Sequence, residues 1–197
     1  MSYKPVVVAV HRNREVALER QLDLVMAPFL HGSRPPDGGA QCDEWWIGGY
    51  WAGRYLSTAD GHPDLIAPHR FPADSPLAGC VACDGGPKHL LDLGRLRAAA
   101  AEQAWRRWPG FLAENRGGSG LRPPEERSPE ALRAAFDELV RAERGRAAAG
   151  PNLLTLDGEW LDESDVGPDR TPHFRRIGDY VDALPGDAWL VCLTVHF

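Results

Sequence analysis

The sequence predicts an α+β protein, a single-domain sandwich in which helices cover one face of an antiparallel or mixed sheet and a largely helical insertion is added. Three patterns carry this prediction. Residues 6–10 form a continuous β-branched run, which is typical of a strand buried on both faces. Apolar residues recur at helical spacing in several segments. Residues 189–197 alternate between two faces, which favours a final strand. We expect the first and last strands in the middle of the sheet.

The segments between these two strands follow a simple order. Residues 14–29 carry one apolar stripe and are predicted to form a helix. Residues 153–161 predict a hairpin, because Asp157-Gly158 stands between two apolar runs and favours a type I′ turn. A second amphipathic helix is expected to begin at Thr171-Pro172.

The insertion covers about residues 57–150 and is expected to pack at one edge of the sheet. Its first part, residues 57–89, is a Cys/Pro-rich loop whose five prolines exclude a long helix or a central strand. Its second part is predicted to be helical over about 95–108, ending at Pro109-Gly110, and over about 129–147. The whole chain, 1–197, is therefore predicted to be one domain.

Residues 44–56 form an aromatic ribbon with three tryptophans, two tyrosines and three glycines. The composition predicts two strands joined by a turn at Gly48-Gly49 or bent by a bulge at Gly53. Side chains of a strand alternate between its faces, so one set of rings is expected in the core and the other can be exposed. The candidate partner-binding residues of the ribbon are Trp46, Tyr50, Trp51 and Arg54. The alternative is that helices cover both faces.

Bulk composition restricts the class of partner. The net charge is -6 and the sequence pI about 5.6, which argues against binding to nucleic acids or anionic membranes because both require a basic face. No apolar run is long enough to span a membrane. The first residues lead into a strand rather than a signal peptide, and four cysteines are too few for a disulfide scaffold. We therefore expect a cytoplasmic protein.

Cys80 and Cys83 form a C-x-x-C pair, in which two thiolates one turn apart can share a zinc ion. The other ligands would be Cys42 and a histidine of the same region. The histidines that could complete the set are His31, His62, His69 and His89, of which His89 is taken here as the fourth ligand. The competing interpretation is that both cysteines are small buried residues in a tight turn, and no cofactor is then required.

The segment Asp84-Gly-Gly-Pro-Lys88-His89 offers backbone N–H groups next to a cation. Such a segment can hold a phosphate or a carboxylate, which makes Lys88 a candidate ligand-binding residue. It lacks the spacing of a P-loop. A simple turn between Cys83 and Leu90 is the favoured interpretation.

Three motifs resemble those of small uncharacterised proteins of actinobacteria and their phages. They are Trp-x-Ile-Gly-Gly-x-Trp-x-Gly (Trp45 to Gly53 here), Cys83-Asp-Gly-Gly-Pro87, and Leu-Asp-Gly-x-Trp (Leu156 to Trp160). A C-terminal strand that ends near a histidine, here His196, completes the resemblance. It implies a shared fold, and it implies no activity, cofactor or catalytic residue.

Two functions remain open at this point. The first is a small binding protein without catalytic activity, which presents the aromatic ribbon and the Cys/Pro-rich loop to a protein or a small-molecule ligand. The alternative is a zinc-assisted hydrolase or transferase in which Asp43 or Glu44 acts as acid or base if burial removes it from water. No nucleophile elbow, zincin or dinucleotide-binding motif is present, so the first hypothesis is favoured.

Overall fold

The computed structural model describes residues 2–33, 41–114, 128–167 and 169–197. The strands are β1 (Tyr3–Val10), β2 (Glu44–Ile47), β3 (Tyr55–Ser57), β4 (His69–Arg70), β5 (Val81–Cys83), β6 (Gly85–Pro87), β7 (Leu153–Leu154), β8 (Trp160–Leu161) and β9 (Trp189–His196). The helices are α1 (Leu18–Met26), α2 (Leu93–Glu114), α3 (Pro129–Ala149) and α4 (Thr171–Ala183). No helix within these ranges combines the length and the apolar character needed to cross a membrane.

The main sheet has β9 and β1 at its centre. Its order is β2-β9-β1-β7-β8. Strand β6 also pairs with β9, from Gly85 opposite Val191 to Pro87 opposite Trp189. Strands β1 and β9 are antiparallel over their full length, from Tyr3 opposite His196 to Val10 opposite Trp189, whereas β1 and β7 are parallel. The predicted α+β class, the mixed sheet and the central position of the first and last strands are confirmed.

Helices cover both faces of this sheet rather than the single face predicted. On one face, α3 and α4 pack over Val7 and Leu190, with Ile177 of α4 fully buried. On the other face, α1 packs over Val8 and Leu193. The β-branched run of β1 is therefore buried on both sides, as its composition predicts. The first helix is shorter than predicted, because only residues 18–26 are α-helical and a 3₁₀ turn follows over Ala27–Phe29.

The two strands of the aromatic ribbon do not pair with each other, contrary to what a tight turn at Gly48-Gly49 between them implies. Strand β2 pairs with β9 in the main sheet, a 3₁₀ turn follows over Gly49–Trp51, and β3 pairs with β5 in a separate three-stranded sheet with β4. Both halves of the ribbon find partners that are distant in the sequence. Local composition identifies the two strands and the turn correctly, but it does not identify which strands they join.

Residues 57–150 contribute to the main body of the fold. Strand β6 of the Cys/Pro-rich loop joins the main sheet, and α3 packs directly on α4. Helix α2 continues through Pro109 to Glu114, past its predicted end, and α3 ends two residues later than predicted. The chain reverses at 155–159 through a three-residue loop with Gly158 at a φ of 82°, not through the type I′ turn expected.

Candidate functional site

A turn from Gly48 to Gly53 closes around the buried carboxylate of Asp84. The backbone N–H of Gly53 donates to Oδ1 of Asp84 at 2.6 Å. Gly48 has a φ of 67°, and a Cβ at this position would lie 2.2 Å from Oδ2 of Asp84, so only glycine fits here. Asp84 is 5% exposed, and burial raises the pKa of its carboxyl group above the ordinary value.

This turn and the Cys/Pro-rich loop meet at Cys192 of the central strand. The N–H of Gly48 donates to the Cys192 carbonyl at 2.9 Å, and the N–H of Cys192 donates to the Asp84 carbonyl at 2.8 Å. Along this edge of β9, the pairing partner thus changes from β2 to β6 at Cys192. A Cβ at Gly85 would lie 2.1 Å from the Leu190 carbonyl, which explains the glycine beside Asp84. The tryptophan-glycine motif and the Cys-Asp-Gly-Gly-Pro motif therefore form one structural unit.

The unit carries Trp46, Tyr50 and Trp51, and the ring of Tyr3 from β1 packs beside the first two; we call these four residues the aromatic surface. The ring of Tyr3 lies 5.7 Å from that of Trp46 and 5.0 Å from that of Tyr50. Tyr50 is 72% exposed, Tyr3 41% and Trp51 40%. Trp46 is half-buried. Three of the four were identified from the sequence. Tyr3 was missed because only the pairing of β1 with β9 places it there.

Arg54 supports the turn rather than facing solvent as a free cation. Its Nη2 donates to the carbonyls of Arg146 and Ala147 at 3.1 and 3.2 Å, and so satisfies backbone acceptors at the C-terminal end of α3. The guanidinium also lines a cavity of about 430 Å³ with Trp51, between the turn and helices α2 and α3. Arg54, a predicted partner-binding residue, therefore also connects the turn to the end of α3.

Lys88 and His89 hold the end of α4. The Lys88 Nζ donates to the carbonyls of Asp182 and Leu184 at 2.9 and 2.6 Å, and burial lowers the pKa of its amine. The Nδ1 of His89 lies 2.8 Å from the Gly186 carbonyl. The backbone N–H groups of both residues donate to carbonyls near the start of β9. Both backbone N–H groups of this pair are therefore used within the fold.

The four predicted zinc ligands do not converge. Cys42 lies in the core beneath α1, whereas Cys83 lies in the core on the opposite face of the sheet. Sγ of Cys80 accepts a hydrogen bond from Arg95 at 3.1 Å. Across the four described ranges, no group of three or more His, Cys, Asp or Glu side chains could hold a metal ion. Both Cys42 and Cys83 are buried free thiols, and burial raises the pKa of each to about 11.

Asp43 and Glu44 lie at the beginning of β2 and face water. The Asp43 carboxylate is 52% exposed and lies 3.4 Å from Nδ1 of His196 and 3.8 Å from Nδ1 of His31. Glu44 is exposed. The burial that acid–base chemistry was expected to require is absent at both residues.

No family model, curated protein or solved structure matches this chain. A functional proposal therefore has to start from the structure itself, above all from the aromatic surface and strand β2.

Proposed function

We propose that this protein is a small binding protein without catalytic activity of its own, and that it contacts a protein partner through the aromatic surface. The Cys/Pro-rich loop contributes by holding the Gly48–Gly53 turn in place through Asp84. The observation that carries the proposal is the exposure of Tyr50 and Trp51 on the Gly48–Gly53 turn, with the exposed ring of Tyr3 from β1 packed 5.0 Å from that of Tyr50.

Tyrosine and tryptophan are suited to this task. Their rings supply large contact areas at a small cost in conformational entropy, and both are enriched among residues that dominate binding energy at protein interfaces. Isolated exposed rings need no explanation, but a contiguous group is typical of an interaction site. The buried Asp84 and the carbonyls that bind Arg54 fix the backbone below the rings. A surface fixed in this way loses little freedom when a partner binds.

The charged side chains next to the aromatic surface also favour a macromolecular partner. Asp43 and Glu44 lie at its border and remain hydrated. Charges at the rim of an interface contribute to specificity and to the rate of association more than to affinity. An acidic border beside exposed rings fits a protein partner with a complementary basic border.

The test is quantitative capture of partners by purified protein. We expect the double variant Tyr50→Ala/Trp51→Ala to lose its partners, because it removes two exposed rings and keeps the buried unit. The matched control is Trp105→Ala. Trp105 is 65% exposed but lies on α2, where its ring packs against Phe136 at 4.8 Å. Circular dichroism would establish that all variants fold. Equal capture by the wild type and the double variant would contradict the proposal.

A further inference from the structure

Among the described residues, strand β2 has no pairing partner on the side away from β9. It pairs with β9 on one side, and it is the last strand in the order of the sheet. The edge is covered on either side of it, because Cys42 bridges to Leu30 and Gly85 of β6 bridges to Ile66. Within the part of the chain that the structure describes, the uncovered edge is thus limited to the four residues Glu44–Ile47.

The pairing pattern determines which backbone groups this edge presents. The Gly48 N–H donates to the carbonyl of Cys192, its partner in the register, so Glu44 and Trp46 direct their N–H and C=O groups towards β9. The intervening residues, Trp45 and Ile47, direct theirs outwards. Outward groups of this kind are a template for an additional strand.

The two sides of the edge differ in chemistry. On the α1 side, Trp45 and Ile47 pack against the core and Glu19 and Asp23 lie one helical turn apart. A groove of about 550 Å³ runs along the edge itself and is lined from both sides by Glu19, Asp23, Leu30, Asp43, Glu44, Trp45, Trp46 and Ile47. Four of the eight are carboxylates and none is basic. On the other side, Trp46 continues into the aromatic surface.

We propose that β2 receives an extended segment of the partner protein as an added strand. This segment carries lysine or arginine at alternate positions, facing Glu19 and Asp23, and apolar residues between them, facing Trp46. The period of two follows from strand geometry, and the basic side follows from charge complementarity with the groove. The inference rests on the proposed function and specifies how the partner is recognised.

The first test uses a synthetic probe, an acetylated and amidated heptapeptide in which lysine alternates with valine. We expect it to bind the full chain and to protect the amides of Trp45 and Ile47 from hydrogen exchange. A heptapeptide with glutamate in place of lysine should bind at least about tenfold more weakly, because like charges would then face each other. Absence of lysine-peptide binding at millimolar concentration would overturn the proposal.

N-methylation of the probe tests strand pairing while the protein stays unchanged. A strand pairs with one neighbour through every second residue only. We therefore expect methylation of either all the lysine amides or all the valine amides to abolish binding, and methylation of the other set to leave it within about threefold. Equal effects of the two sets would overturn strand addition.

Charge reversal tests the groove. We expect Glu19→Lys/Asp23→Lys to weaken binding of the lysine peptide at least about tenfold. Glu102→Lys is the matched control, since Glu102 is an exposed carboxylate of α2, 69% accessible, outside the groove. Unchanged binding by the double variant would overturn the assignment of the basic side.

The two proposals can fail separately. A peptide that binds without protecting Trp45 and Ile47, together with partner loss in Tyr50→Ala/Trp51→Ala, would overturn strand addition and leave the proposed function standing. Strand addition by the peptide together with unchanged partner capture by that double variant would contradict the role of the aromatic surface only.

Discussion

A single buried carboxylate, that of Asp84, holds the Gly48–Gly53 turn. It accepts the Gly53 N–H at 2.6 Å and fills the space that a side chain at Gly48 would occupy. We expect Asp84→Ala to lower the free energy of unfolding by about 1–3 kcal/mol, because it leaves the Gly53 N–H without its acceptor. Urea unfolding followed by tryptophan fluorescence measures the change. A loss below about 0.5 kcal/mol, as at an ordinary surface site, would contradict this role.

The same residue makes stability depend on pH. Burial raises the pKa of Asp84 in the folded protein, so the folded state binds a proton more tightly than the unfolded state. The stability contributed by this proton is complete below the ordinary aspartate pKa of about 3.9 and is lost as the pH rises through the folded-state value. We therefore expect Asp84→Asn to become more stable relative to wild type across this window. Unfolding curves at several pH values would test it, and parallel profiles would contradict it.

At the scale of elements, α3 and α4 approach closely through two glycines. A Cβ at Gly145 would lie 1.9 Å from the Phe174 carbonyl, and a Cβ at Gly178 would lie 2.9 Å from Cα of Gly145. These contacts are with backbone atoms, which cannot rotate away. The two helices can therefore pack at this distance only without side chains at these positions.

We expect Gly178→Ala to destabilise the protein by about 1–3 kcal/mol through overpacking. Gly110→Ala is the control. Gly110 lies in α2, where an added Cβ would meet nothing within 4 Å, so alanine should stabilise the helix by about 0.5–1 kcal/mol. Thermal unfolding of both variants distinguishes the two effects, which are expected to have opposite signs. Changes of the same sign would contradict the close-packing argument.

At the scale of the whole molecule, β9 joins three otherwise separate parts of the chain. It pairs with β1, with β2 of the aromatic ribbon and with β6 of the Cys/Pro-rich loop. Its residues 189–195 are buried. Because the same strand completes both faces of the core, loss of packing at one point weakens all three connections.

We expect Leu193→Ala to cost about 2–5 kcal/mol, since Leu193 is fully buried in the centre of the sheet. Leu24→Ala makes the same chemical change at a position that is 70% exposed and should stay within about 0.5 kcal/mol of wild type. Far-ultraviolet circular dichroism and tryptophan fluorescence should report coincident transitions for the wild type. Separate transitions would contradict the unifying role of β9.

The resemblance to small proteins of actinobacteria and their phages stays a prediction. Its first two motifs meet at Cys192. The Gly53 N–H of the first motif also donates to the Asp84 carboxylate of the second, although the two residues are 31 positions apart. At this contact, Gly48 and Gly85 permit the close approach, and the Asp84 side chain fills the space beside Gly48.

The elements with strong periodicity could be predicted from the chain alone. The β-branched run of β1, the alternation of β9 and the apolar stripe of α4 each depend on neighbours along the chain, so they were predicted at nearly the observed positions. The α+β class followed from their order. The rings of Trp46, Tyr50 and Trp51 were identified for the same reason, because aromatic composition is a local property.

Which strands pair with one another could be learned only from the folded protein. The two halves of the ribbon are adjacent in sequence, yet β2 pairs with the buried strand β9 and β3 pairs with β5. The separation of Cys42 from Cys83 and the arrival of Tyr3 beside Tyr50 depend on the same choices. Strand pairing is a non-local balance of burial and register, and no local pattern records it.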